Sequence, residues 1–113
     1  MNELSVIIPC IYSVKMLPRL IDELAVYLMS NPADVDIIIV INERVQSAGH
    51  IVHYVDRKYP WLKFEMLQRK GSQHGYGALA RFGMAYSTSR YAVLISPYGE
   101  DDISIIFQMW NKL

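Results

Sequence analysis

The stretch Arg69–Asp102, RKGSQHGYGALARFGMAYSTSRYAVLISPYGEDD, decides the fold. Gly75 and Gly77 permit a tight turn, or a close approach of the backbone to a ligand, because neither carries a Cβ. Ala78, Leu79, Phe82 and Tyr86 then recur at helical spacing, and Gly83 lies where a helix can pack close against a sheet. Tyr91–Ile95 is an unbroken apolar run, the pattern expected of a strand covered on both faces, and it ends in an acidic loop. Turn, helix, strand and acidic loop together predict half of an open α/β sheet. Such sheets bind ligands in the crevice beyond the carboxyl ends of their strands.

Working outward, Leu4–Pro9 reads as a buried first strand with Pro9–Ser13 as its exit loop. Leu17, Leu20, Ile21, Leu24 and Leu28 form an i, i+3, i+4 stripe, with Pro18 suited to a first helical turn and Asn31-Pro32 as the stop. Val35–Ile41 is β-branched almost throughout and reads as a central strand. A second helix is expected over Ser47–Tyr59, with Ile51, Val52, Val55 and Tyr59 inward. Trp61–Leu67 alternates Leu62, Phe64 and Met66 against Lys63 and Glu65, which predicts an edge strand with one wetter face. At the far end Asp101 or Asp102 caps a last helix whose inward side is Ile105, Ile106, Met109, Trp110 and Leu113. The order βαβαβαβα implies a parallel sheet with right-handed crossovers.

Composition narrows the function classes. The 113 residues suffice for one domain, and 52% apolar with 19% charged residues predicts a folded chain. Eleven basic residues balance eleven acidic ones, with no basic stripe interleaved with aromatics, so nothing supports nucleic-acid binding. The lone cysteine, Cys10, permits no internal disulfide and suits a reducing compartment. No basic start precedes an apolar segment as in a signal peptide, and no run approaches the roughly 18–20 apolar residues that span a bilayer. The chain as given therefore reads as soluble. His50 and His53 fall i, i+3 on one helix face without a third metal ligand, which favours a wet face.

Several segments in order resemble the amino-terminal, nucleotide-binding half of the family 2 inverting glycosyltransferases. Ser5-Val-Ile-Ile-Pro-Cys-Ile-Tyr12 followed by Leu17-Pro-Arg-Leu-Ile-Asp-Glu-Leu24 is similar to the family's SVIIPxYN…LPxLLxEL. Asp36–Glu43, DIIIVINE, stands where the family has EIIVVDDGS. Gly75–Gly83 and Ser89–Ile95 resemble GxGAALRxG…GDYVxxxDAD. The resemblance covers nearly the whole chain and implies a Rossmann-like GT-A half: a mainly parallel four-stranded sheet in the order 3-2-1-4, flanked by helices.

It also implies a nucleoside-diphosphate sugar as ligand, with Pro9, Ile11, Glu43, Arg69, Gly75, Gly77, Arg81, Ser96 and Tyr98 around it. Arg69 or Arg81 would partner the diphosphate beside the glycines, or the glycines serve only to start the helix. Glu43 would accept a bond from the base, or it is a solvated loop charge. The family's Asp-x-Asp, which helps hold Mg²⁺ or Mn²⁺ on the leaving diphosphate, is replaced by Ser96-Pro97-Tyr98. Glu100, Asp101 and Asp102 remain as replacement metal ligands or as an acidic helix start favoured by the macrodipole. His74 would touch phosphate or is a plain loop histidine, and Cys10 has no base to make it a nucleophile.

The family's general base lies downstream of the matched region, and Leu113 falls inside the last helix, so the domain is expected to be incomplete at its carboxyl end. The resemblance implies a cytoplasmic domain, held at the inner face of a membrane if it is part of a longer protein. Three readings stand: a sugar transferase acting on an unknown acceptor, a nucleotide-sugar-binding module without turnover, and a structural domain that buries its apolar surface in a homo-oligomer.

Overall fold

All seven residues of β1, Leu4–Cys10, are buried, because β1 has a strand on each side and helices above and below. The computed structural model describes residues 3–11, 13–30, 34–42, 48–70, 75–98, 102–110 and 112, at 30 and 48 the backbone alone. Its strands are β1, β2 (Val35–Asn42), β3 (Lys63–Arg69) and β4 (Tyr91–Leu94), all parallel and ordered β3-β2-β1-β4. This is the α/β sheet and strand order expected from the sequence. Register pairs Leu4 with Val35 on one side and with Tyr91 on the other.

The two-residue period of β1 and β2 sorts their side chains onto two faces. Leu4, Val6, Ile8 and Cys10, with Val35, Ile37, Ile39 and Ile41, join one cluster with α1 (Leu17–Ser30), α2 (Ala48–Lys58) and α4 (Ile103–Trp110). Ile7, Ile38 and Val40 point the other way, to Leu79 of α3 (Tyr76–Tyr86). The predicted stripe of α1 is buried throughout. Across the top of α1, Asp22 accepts hydrogen bonds from Tyr54 (2.6 Å), Tyr59 (2.5 Å) and Lys58 (3.2 Å). Burial pushes the Asp22 carboxyl up, but the Tyr54, Tyr59 and Lys58 donors outweigh it and hold the group below its ordinary value.

Gly83 sets the spacing of α3. A Cβ there would meet Ile7 Cγ2 at 2.7 Å and Val40 Cγ2 at 2.9 Å, so the helix lies closer to the sheet than any side chain allows. That closeness corrects the expected inward face. Leu79, Ala80 and Gly83 are buried, whereas Phe82 and Tyr86 are pushed to the flanks and exposed.

Other expectations shift for similar reasons. β4 is not covered on both faces: it is an outer strand, and Tyr91, Ala92 and Leu94 are exposed. Ile95, just past it, is fully buried and donates its N–H to Ile7 O at 2.9 Å. β3 is the other outer strand, as expected, but begins at Lys63, leaving Trp61 in an exposed turn against Tyr59. Val52 is exposed on α2, while Ile51 and Val55 are buried. In α4 the inward pair is Ile103 and Phe107, not Ile105 and Met109, which are 52% and 64% exposed. Phe107 stacks on Tyr27 of α1 with ring centres 5.5 Å apart, which fixes the rotation of the helix. Leu113 lies outside the described residues.

A polar knot fastens the amino end of the sheet. Ser5 Oγ, fully buried, donates to Asp36 Oδ1 at 2.6 Å and sits 2.6 Å from Ser87 Oγ and 2.7 Å from Ser89 Oγ. Ser89 Oγ adds a second donor to the same carboxylate oxygen at 3.2 Å. Among the described residues no helix is long and apolar enough to cross a membrane.

Candidate functional site

The strand order reverses beside β1. From β1 the chain moves outward through β2 to β3, then crosses back to place β4 on the other side of β1. α1 and α4, which follow β1 and β4, pack on the same face of the sheet, and a crevice lies between the start of α1 and the exit of β4 at the carboxyl edge. Met16, Arg19, Leu20 and Glu23, at the start of α1, face Ser96, Pro97 and Tyr98 across a cleft of about 210 Å³. Ser96 and Tyr98 are thus brought together at the predicted place. Their conformation is set locally: Tyr98 N–H donates to Ser96 Oγ at 3.2 Å, and Pro97 is buried.

The rest of the edge gathers the other expected residues. Asn42, the last residue of β2, is 4% exposed and donates from Nδ2 to Ile11 O at 2.8 Å, which holds the exit of β1 against β2. Arg69, at the end of β3, is the register partner of Asn42. Pro9 is buried within β1 opposite Val40. Glu43 and His74, with Glu100 and Asp101, lie outside the described residues.

Gly75 and Gly77 occupy the start of α3. Gly75 is the N-cap with φ −66° and ψ 161° and no side-chain cap, so its backbone is one that any residue adopts. Gly77 is inside the first turn of the helix, not in a loop. Its lack of a side chain serves Arg81: a Cβ on Gly77 would stand 3.2 Å from Arg81 Nη1. The guanidinium lies back against Gly77 in the first turn of α3, toward the positive end of the helix dipole.

The remaining candidates have other roles. Asp102 caps α4, accepting from Ser104 N–H at 2.9 Å and Ser104 Oγ at 2.6 Å, and these bonds hold its carboxyl below the ordinary range. Cys10 is buried, and desolvation pushes its thiol up to about 12, so it stays protonated at neutral pH. His50 and His53 lie exposed along α2 beside Tyr54, Arg57 and Lys58.

The lining also names residues that sequence reading passed over. Arg19 and Met16 match no motif position and Glu23 was read only as part of the α1 segment; the apposition of the α1 start with the β4 exit makes them neighbours of Ser96. Asn42 was legible only as a charge lost, not as the donor that bridges two strands.

Against family models and curated protein sequences, the chain has no match.

The metal implied by the family resemblance finds no fitting donor set among the described residues. Mg²⁺ and Mn²⁺ require hard oxygen ligands, chiefly carboxylates. The cleft presents two neutral hydroxyls and one carboxylate, Glu23, while Asp102 is committed to its helix. Among the described residues no three His, Cys, Asp or Glu side chains converge.

Proposed function

We propose that this domain binds a nucleoside diphosphate, as part of a nucleoside-diphosphate sugar, across the carboxyl edge of its sheet. The observation that carries the reading is Arg81 laid back against Gly77 in the first turn of α3. A guanidinium beside a helix N-terminus offers a diphosphate both charge and backbone donors. The reversal of strand order beside β1 supports the same location. Ile11, Asn42 and Arg69 supply the adjoining wall, where a base would lie. In this reading the domain is the donor-binding half of a family 2-like inverting transferase, and the acceptor and general base are supplied from elsewhere.

A second reading has its own observation. Ser96-Pro97-Tyr98 replaces paired carboxylates, and the cleft beside it, at about 210 Å³, is smaller than the roughly 300–1,000 Å³ of ordinary ligand pockets. On that ground the domain binds the nucleotide without turning over a sugar by itself.

Amide chemical shifts of the ¹⁵N-labelled chain, followed while UDP and GDP are added, test the proposal. Dissociation constants in the micromolar range are expected, with the largest shifts at Ile11, Gly75, Gly77 and Tyr98. Saturating nucleotide that leaves those amides unmoved in a folded sample overturns it.

A further inference from the structure

We infer that the phosphate-binding cation of the carboxyl-edge cleft is the Arg19 guanidinium, in place of a divalent metal. The inference rests on the functional reading above and concerns the same site. A diphosphate approaching two carboxylates needs a metal between like charges. A diphosphate approaching Ser96 and Tyr98 does not, because neither of those side chains brings a negative charge. The substitution that removes the metal ligands therefore also removes the electrostatic need for the metal.

What remains is a need for positive charge, and Arg19 meets it. It stands in the first turn of α1 on the wall opposite Ser96–Tyr98. Its planar fork of N–H donors matches phosphate oxygens two at a time, which an ammonium does not do. Its partner among the described residues is Glu23, at 3.8 Å from Nε to Oε1, with the two side chains 79% and 50% exposed. A long ion pair so fully solvated contributes almost nothing. Arg19 is therefore free to exchange Glu23 for a phosphate. Glu23 lines the same cleft and becomes the group that opposes anion binding.

Arg81 and Arg19 lie on helices packed against opposite faces of the sheet, at the ends that open on its carboxyl edge. Arg19, and not Arg81, lines this cleft.

Calorimetric titration of UDP and of inorganic pyrophosphate, in Mn²⁺ and in EDTA, tests this on the wild-type chain and on exposed-site variants. Dissociation constants should agree within about twofold between Mn²⁺ and EDTA. Arg19→Ala should weaken both ligands at least about tenfold, and Arg19→Lys should recover part of that loss. Glu23→Gln should tighten binding roughly two- to fivefold by removing a like charge. Arg57→Ala, on the flank of α2, should behave as wild type. UDP binding that requires Mn²⁺, or that ignores Arg19→Ala in a folded variant, overturns this inference and leaves the nucleotide reading standing. UDP and GDP that bind under no condition overturn the nucleotide reading, and this inference with it.

Discussion

At the amino end of the sheet Ser5, Asp36, Ser87 and Ser89 satisfy one another at 2.6–3.2 Å, whereas the carboxyl end carries Arg19 in the lining of a cleft, Arg69 at the end of β3 and Arg81 near the start of α3. Both ends hold polar groups, but they are disposed differently. In the amino-end knot three hydroxyls and a carboxylate are turned on each other, and the buried one, Ser5, binds β1 to β2 and to the segment after α3. At the carboxyl end one buried amide, Asn42, links two strands. Beyond it Arg19 and Glu23 line an open cleft. The amino-end groups support the fold, while Arg19, 79% exposed at its side chain, remains accessible to a ligand. The same sheet carries one sort at each end.

Substitutions at three positions break or sharpen that contrast. The largest effect is expected from Gly83→Val, since α3 joins the two ends and lies too close to Ile7 and Val40 to admit a branched side chain. Forcing α3 outward should cost about 3 kcal/mol in urea unfolding, and a wild-type midpoint would refute the close packing. Next, Asp36→Ala strips the acceptor from buried Ser5 and should cost about 2 kcal/mol while leaving UDP affinity unchanged. A parallel fall in affinity would show that the two ends are not separable. The smallest stability effect, about 1 kcal/mol, is expected from Asn42→Ala. Yet that variant should weaken UDP roughly fivefold, because the exit of β1 loses its anchor. Unaltered affinity would remove Ile11 and Asn42 from the binding wall.

Much of the fold was legible because apolar spacing reports which residues are able to be buried. The α1 stripe, the β-branched β2 and the small Gly83 each had one structural meaning, and each has it in the molecule. Spacing does not report what is present to do the burying. Tyr91-Ala-Val-Leu has the composition of an inner strand, and its place at the outside of the sheet depends on what lies next to it. Phe82 and Tyr86 have the right period for an inward face, but the approach at Gly83 excludes rings.

The candidate site was legible by position more than by residue. Ser96 and Tyr98 stand at the strand exit where the acidic motif was missed, and Gly75 and Gly77 mark the start of α3. Gly77 was read as a turn residue, though its place is in the helix, where it leaves room for Arg81. Arg19 and Glu23 belong to the polar side of an amphipathic helix, and one-dimensional periodicity treats every such residue as solvated. The Ser5 knot escaped for a related reason: its hydroxyls are 82 and 84 residues apart in the chain.

The central position of β1 has a consequence for how the chain is made. Leu4 emerges from the ribosome about 87 residues before its register partner Tyr91. At ordinary synthesis rates that is an interval of roughly 4–17 s. During it β2 is available to one side of β1 and nothing of β4 exists for the other, so Leu4–Ile7 presents a bare hydrogen-bonding edge to its surroundings or to a chaperone. Slower decoding across the segment that encodes β2 to β4 would lengthen that exposure. The yield of native protein is therefore expected to be more sensitive to codon choice there than in the segment encoding α4.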